Sequence, residues 1–96
     1  MPVVQLEHSV RDFSMWKAAF DRDPIDRRAL GVRRHRIVRP IDDPNYVVVE
    51  LDFDTTEQAE ACRAALDHLW ASRTDAPALL GTPQTRIVQE IEDRRY

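Results

Sequence analysis

His8-Ser9-Val10-Arg11-Asp12-Phe13-Ser14-Met15-Trp16-Lys17-Ala18-Ala19-Phe20-Asp21 joins a first strand to a first helix. Asp12 is a good N-cap, because its carboxylate can accept hydrogen bonds from backbone N–H groups left free in the first helical turn. Phe13, Trp16 and Phe20 follow at i, i+3 and i+7 with Ala19 beside them, so one helical face is apolar and aromatic. Burying three such rings contributes several kcal/mol, at roughly 1.5–3 kcal/mol each. Lys17, Asp21 and Arg22 point the other face at water. The spacing predicts a helix from Asp12 to Arg22.

Outward from that helix the chain alternates strand and helix. Val3–Glu7 reads as a strand, with Val4 and Leu6 on one face and Gln5 and Glu7 on the other. Asp23-Pro24 breaks the helix, and Pro24 can open a short helical segment over Ile25–Leu30 that Gly31 closes in a left-handed conformation. Val32–Arg39 reads as a second strand whose arginines mark it as an edge. Pro40-Ile41-Asp42-Asp43-Pro44-Asn45 is dense in turn formers and predicts a hairpin loop.

Tyr46–Phe53 is the clearest strand, with Val47, Val49, Leu51 and Phe53 forming one wholly apolar face. Thr55 and Gln58 form a capping box for a second helix ending near Ser72. Its buried stripe is Ala59, Cys62, Leu66 and Leu69, with Trp70 at the edge. Asp75–Gly81 reads as a further single turn, and Gln84–Ile91 as a fourth strand before the charged tail Glu92–Tyr96.

The order β-α-β-β-α-β predicts a ferredoxin-like α+β fold: a four-stranded antiparallel sheet with both helices on one face. Its 96 residues suit one domain, 1–96, around one core. Val48 and Val88 fall on the face the helices leave bare. That predicts a homodimer with sheet packed against sheet.

Composition narrows the function classes. Hydrophobic residues make up 43% and charged residues 32%, a balance that argues against disorder. No apolar run approaches the ~20 residues of a membrane span, and the N-terminus lacks the pattern of a signal peptide. Cys62 has no cysteine to pair with and reads as a small buried hydrophobe. These features together predict a cytoplasmic protein.

The net charge of −3 is unevenly spread. Arg22–Arg39 holds seven arginines against Asp23 and Asp26, a net of +5, and Pro40–Glu60 holds seven acids and no base. Adjacent blocks of opposite sign predict neutralisation across a hairpin, not a basic patch for nucleic acid. The third strand also lacks the basic-aromatic pattern of an RNA-binding sheet. Gly-rich phosphate loops, a nucleophile elbow and metal-ligand spacing among His8, His35, His68 and Cys62 are all missing, so neither cofactor nor metal is expected.

His8-x-Val10-x-Asp12-x-x-x-Trp16-Lys17-x-x-Phe20-Asp21, with Asp42-Asp43-Pro44-Asn45-x-Val47 further on, resembles small dimeric α/β-barrel proteins related to the antibiotic-biosynthesis monooxygenase family. The resemblance covers roughly residues 3 to 91. It implies a dimeric α/β barrel and a small-molecule pocket protein. Such relatives include cofactor-independent enzymes acting on aromatic or polyketide-like compounds. The superfamily also hosts haem breakdown, decarboxylation and isomerisation, so fold analogy cannot choose among reactions. Before the last strand a small-residue turn is expected; Asp75–Pro83 departs from that.

Within this frame His8, His35 and Glu50 are the candidate catalytic residues, and Arg33, Asp52 and Trp16 the candidate substrate-binding residues. His8 has a side chain that titrates near neutrality and can serve as a base, or can simply bond backbone at a strand end. One hairpin register sets Arg33 against Asp52 and His35 against Glu50; a slip of one residue pairs Arg34 with Asp52 and Arg36 with Glu50. Either arrangement could floor a cavity or form a structural ion-pair ladder, and charged hairpins commonly do the latter. Trp16 can cover an aromatic ligand, although at helical spacing it is more often core. A non-catalytic homodimer that binds a ligand or supports an assembly is the alternative function.

Overall fold

The computed structural model describes residues 1–72 and 79–96. β1 spans Pro2–Val10, α1 Phe13–Asp21, β2 Arg34–Val38, β3 Tyr46–Asp52, α2 Thr56–Ser72 and β4 Leu79–Gln89. The strands form one sheet in the order β2-β3-β1-β4, antiparallel throughout. This is the ferredoxin-like fold that the element order predicts.

Each helix begins where its capping residue dictates. Asp12 Oδ1 accepts from the Met15 amide at 3.2 Å, and α1 follows. At α2, Thr55 Oγ1 accepts from the Gln58 amide at 3.1 Å, while Gln58 Oε1 accepts from the Thr55 amide at 3.2 Å. That reciprocal pair satisfies amides left free by the first turn. Both helices contribute to one buried cluster with the sheet: Trp16 from α1, Ala59, Cys62 and Leu66 from α2, Val4, Leu6 and Val10 from β1, and Val47, Val49 and Leu51 from β3. Helices therefore cover one face only.

Several boundaries differ from the sequence reading, four of them by more than an end residue or two. β1 runs on to Val10, because Val4, Leu6, His8 and Val10 continue one alternating row and the Val10 amide donates to the Asn45 carbonyl at 2.8 Å. Turns occupy the segment expected to be helical over Ile25–Leu30. Asp23 and Asp26 take φ of 54° and 56°, and their carboxylates accept from the Arg27 and Ala29 amides. Such local side-chain bonds compete with a helical ladder. β2 is shorter than expected, and β4 begins at Leu79 instead of Gln84. The Asp75 cap expected for a further turn lies outside the described residues.

Gly31 is left-handed at φ 95°, and a Cβ there would sit 2.7 Å from Gln58 Nε2. The turn leading into β2 thus packs against the capping side chain of α2, where only glycine fits without displacement.

The hairpin register is the second of the two alternatives. Arg34 lies opposite Asp52, His35 opposite Leu51, Arg36 opposite Glu50 and Ile37 opposite Val49. Because side chains alternate along a strand, this turns His35 towards the helix-covered face and away from Glu50.

Candidate functional site

Strand alternation divides the candidate residues between two surfaces. On the helix-covered face, His8 lies opposite Val47 of β3 and is only 4% exposed. Its pairing with β4 is interrupted: Glu7 lies opposite Gln84 and Ser9 opposite Leu80, so the register shifts at His8. Pro83 of β4 falls in that irregularity and has no N–H to give the ladder. Irregularities of this kind re-aim a side chain where a regular ladder would not.

The imidazole faces Trp16, ring centroids 5.9 Å apart. Trp16 in turn lies 5.8 Å from Phe13 and stacks on Phe20 at 5.2 Å, and Phe20 meets the His35 ring edge-on at 5.2 Å. A continuous row of rings thus runs from β1 across α1 to β2. Two guanidinium groups lie against it, Arg39 4.3 Å over Phe13 and Arg27 3.8 Å over Phe20. Such stacking is favourable because the ring face carries negative charge density.

Burial lowers the His8 pKa below its ordinary 6.5, outweighing a bond from the ring to the Ser9 carbonyl that acts the other way. Nδ1 is 3.4 Å from that carbonyl oxygen, which can only accept, so the contact favours a proton on Nδ1 and a lone pair on Nε2. A neutral imidazole in an apolar setting can take up a proton. Cys62 is also buried, and burial pushes its thiol up to about 11, leaving it an inert packing group.

The open face is different in kind. Gln5 Nε2 donates to Glu50 Oε2 at 3.1 Å, and Arg86 Nε donates to Gln5 Oε1 at 2.7 Å. Arg86 also lies 3.9 Å from Glu7, which accepts from the Tyr46 hydroxyl at 2.7 Å. That bond, together with some burial and the nearby charges of Glu7 and Asp43, raises the Tyr46 pKa. Arg34 Nε donates to Asp52 Oδ2 at 3.0 Å. A shallow depression of about 70 Å³ lies among Gln5, Glu7, Gln84, Thr85 and Arg86.

The structure therefore joins His8 to Trp16 directly and to His35 through Phe20. It does not bring Glu50 or Asp52 to them, since both belong to the opposite face. Arg33 meets Asp52 only through its amide, which donates to the Asp52 carbonyl at 2.8 Å; its side chain pairs with Asp54 at 3.4 Å. Phe13, Phe20 and Arg39 join the row without having been singled out as site residues. The i, i+7 spacing places both phenylalanines on the Trp16 face, but the approach of Arg27 and Arg39, which flank β2 in the chain, is a tertiary contact that spacing does not give.

No protein-family model matches the chain, and neither does any curated protein. Solved structures do. A Nitrosomonas europaea protein provisionally named an antibiotic biosynthesis monooxygenase superposes with a TM-score of 0.71 at 22% identity, over 96% of this chain and 100% of that one. SnoaB, a cofactor-independent oxygenase from Streptomyces nogalater, gives 0.67 at 18% identity over 96% and 94%. A dimeric ferredoxin-like protein from an uncultured marine organism gives 0.70 at 10% identity over the full length of both. The fold is thus shared with antibiotic-biosynthesis-monooxygenase-like proteins, as the motif resemblance implies. Among the described residues, no helix is long and apolar enough to cross a membrane.

Proposed function

We propose that this chain is a cofactor-independent oxygenase-like enzyme acting on a hydroxylated aromatic or polyketide-like compound, working in the cytoplasm as a homodimer with sheet against sheet. The observation that carries the reading is His8: a buried imidazole, kept neutral by its surroundings and set against Trp16 at a break in the β1–β4 ladder. The likeness in fold to SnoaB supports the reaction class, and the dimeric marine protein supports the assembly.

The chemistry asks little of the protein. His8 Nε2 removes a proton from the substrate, leaving an enolate or phenolate whose electrons pass to molecular oxygen as co-substrate. One oxygen atom replaces two hydrogens at a ring carbon to give a carbonyl, and the other leaves as water. The protein's part is to hold the base, orient the rings and exclude water. In this assignment His8 is the catalytic residue, Trp16 binds the substrate, and His35 positions Phe20. Arg33, Glu50 and Asp52 belong to the hairpin and to the subunit contact instead.

The test is oxygen consumption with a panel of hydroxylated anthrones and naphthalenes, for the parent and for His8→Phe. Turnover in the parent is expected, with His8→Phe lower by about 100-fold, the usual scale for a lost general base. Because burial lowers the His8 pKa, parent activity should hold above pH 6.5 and fall only as pH drops through a lower value. Binding without oxygen uptake would favour the second reading, a non-catalytic ligand-binding homodimer. That reading draws on the open face, where Glu7, Glu50 and Asp52 all have partners and none is left as a free acid or base.

A further inference from the structure

We propose that Arg27 is a positioning residue of this site: it grips Phe20 by ring and by backbone, and through Phe20 fixes the Trp16 ring that faces His8. The proposal rests on His8 and Trp16 being the site, and it adds the group that holds their geometry.

α1 has no basic residue in its last turn. The carbonyl groups there lack helical partners and carry the negative end of the helix dipole. A cation reaches them from further along the chain. Asp23 and Asp26, at φ 54° and 56°, turn the chain after α1, and Arg27 Nη1 donates to the Phe20 carbonyl at 2.8 Å. The same guanidinium lies 3.8 Å from the centre of the Phe20 ring. One side chain thus meets one residue at both its backbone and its ring.

Arg27 is itself held in place. Its amide donates to Asp23 Oδ1 at 2.9 Å, its carbonyl accepts from the Val32 amide at 3.0 Å, and its Nη1 lies 3.5 Å from Asp23. Only 15% of its side chain is exposed, so water competes weakly for the guanidinium donors. The turn pre-orders a side chain whose rotamer freedom is otherwise large. By contrast, His35 meets Phe20 only ring to ring.

From Phe20 the position passes on by packing. Phe20 stacks on Trp16 with centroids 5.2 Å apart and planes 30° from parallel, and Trp16 lies 5.9 Å from His8. Trp16 is buried, and in a close-packed interior its ring shifts when a neighbour shifts. A displaced Phe20 would let the indole slide and change how it meets the imidazole.

Proton NMR of the parent and of Arg27→Met, Arg27→Lys and Asp23→Asn tests this without substrate. In the parent, the Arg27 guanidinium protons should exchange slowly with water and be shifted upfield by the Phe20 ring. Fast exchange at ordinary shifts would overturn the grip even if no variant folded. Arg27→Met keeps the aliphatic stem, and the Trp16 indole and His8 ring signals should be displaced in it. Arg27→Lys should displace them as well, because one ammonium cannot hold carbonyl and ring together as the planar fork does. Asp23→Asn keeps an acceptor for the Arg27 amide and should leave both signals in place. Parent-like signals in Arg27→Met or Arg27→Lys would overturn the proposal. So would an equal displacement in Asp23→Asn, since the ion pair would then be the determinant. Oxygen uptake should fall about 10- to 100-fold in both Arg27 variants; uptake at the parent level despite displaced signals would overturn the positioning role. A parent with the expected signals but no oxygen uptake would end the oxygenase reading and leave the grip on Phe20 standing.

Discussion

The two faces of this sheet solve the problem of polar side chains in opposite ways. Among the described residues, the helix-covered face admits His8 alone as a buried polar residue, and burial disfavours its charged form. The open face concentrates charge and satisfies it pairwise across three strands, from Tyr46 and Glu7 through Arg86 and Gln5 to Glu50. A lone titratable group in an apolar setting has its chemistry altered by its surroundings, whereas a mutually satisfied network has little left over for a substrate. That difference, and not the number of acids and bases on each side, is the ground on which the proposed chemistry is placed on the face poorer in charge.

The largest expected effect comes from the inner face. Trp16 is 6% exposed and touches His8, Phe13 and Phe20. Trp16→Ala removes the centre of the row and should cost about 3–5 kcal/mol, a large part of a small domain's stability. Chemical denaturation at several protein concentrations would measure it. The loss should be the same at each concentration, because the ring packs within one subunit. A melting curve within error of the parent would mean that Trp16 is not core, and the contrast between faces would collapse.

Much of this division was legible in the sequence, and the part that was not has a physical cause. The alternation Val4-x-Leu6-x-His8-x-Val10 already places His8 in an apolar row, but a strand read as Val3–Glu7 leaves it at an end. The missing information is the pairing of Ser9 and Val10 with β3 and β4, which is a long-range contact. His35 was illegible for another reason. A six-residue loop with two prolines does not fix the hairpin register, and a shift of one residue carries every side chain to the other face. The β4 start was hidden by Pro83, which weakens a strand pattern and here marks the irregularity beside His8.

A smaller effect, confined to one pH range, sharpens the inner-face half of the contrast. In the unfolded chain His8 takes up a proton as pH falls through about 6.5, whereas the folded protein resists protonation because burial lowers the pKa. The unfolded state then binds more protons, so stability attributable to His8 is complete above 6.5 and declines towards the lower folded value. His8→Leu should remove this component. The gap in unfolding free energy between variant and parent should therefore shift in the variant's favour on acidification. A gap independent of pH between 7.5 and 5 would mean that the folded imidazole titrates normally.

The smallest expected effect tests the open face. Glu50 is half-buried, accepts one bond from Gln5 and lies opposite Arg36 without an ion pair to it. Glu50→Gln keeps the shape and an acceptor for Gln5, so within one subunit it should change stability by less than about 1 kcal/mol. Covered by a second sheet, the same carboxylate would be further desolvated, and neutralising it would relieve that cost. The dimer should then dissociate at equal or lower concentration in the variant than in the parent, as sedimentation over a dilution series would read. Turnover and ligand affinity should be unchanged, because no bond links Glu50 to the aromatic row. If the variant instead lost activity while keeping its melting temperature and its dissociation profile, Glu50 would be chemistry and not scaffold. The assignment of one role to each face would then fail at the open face alone, with the Trp16 and His8 results untouched.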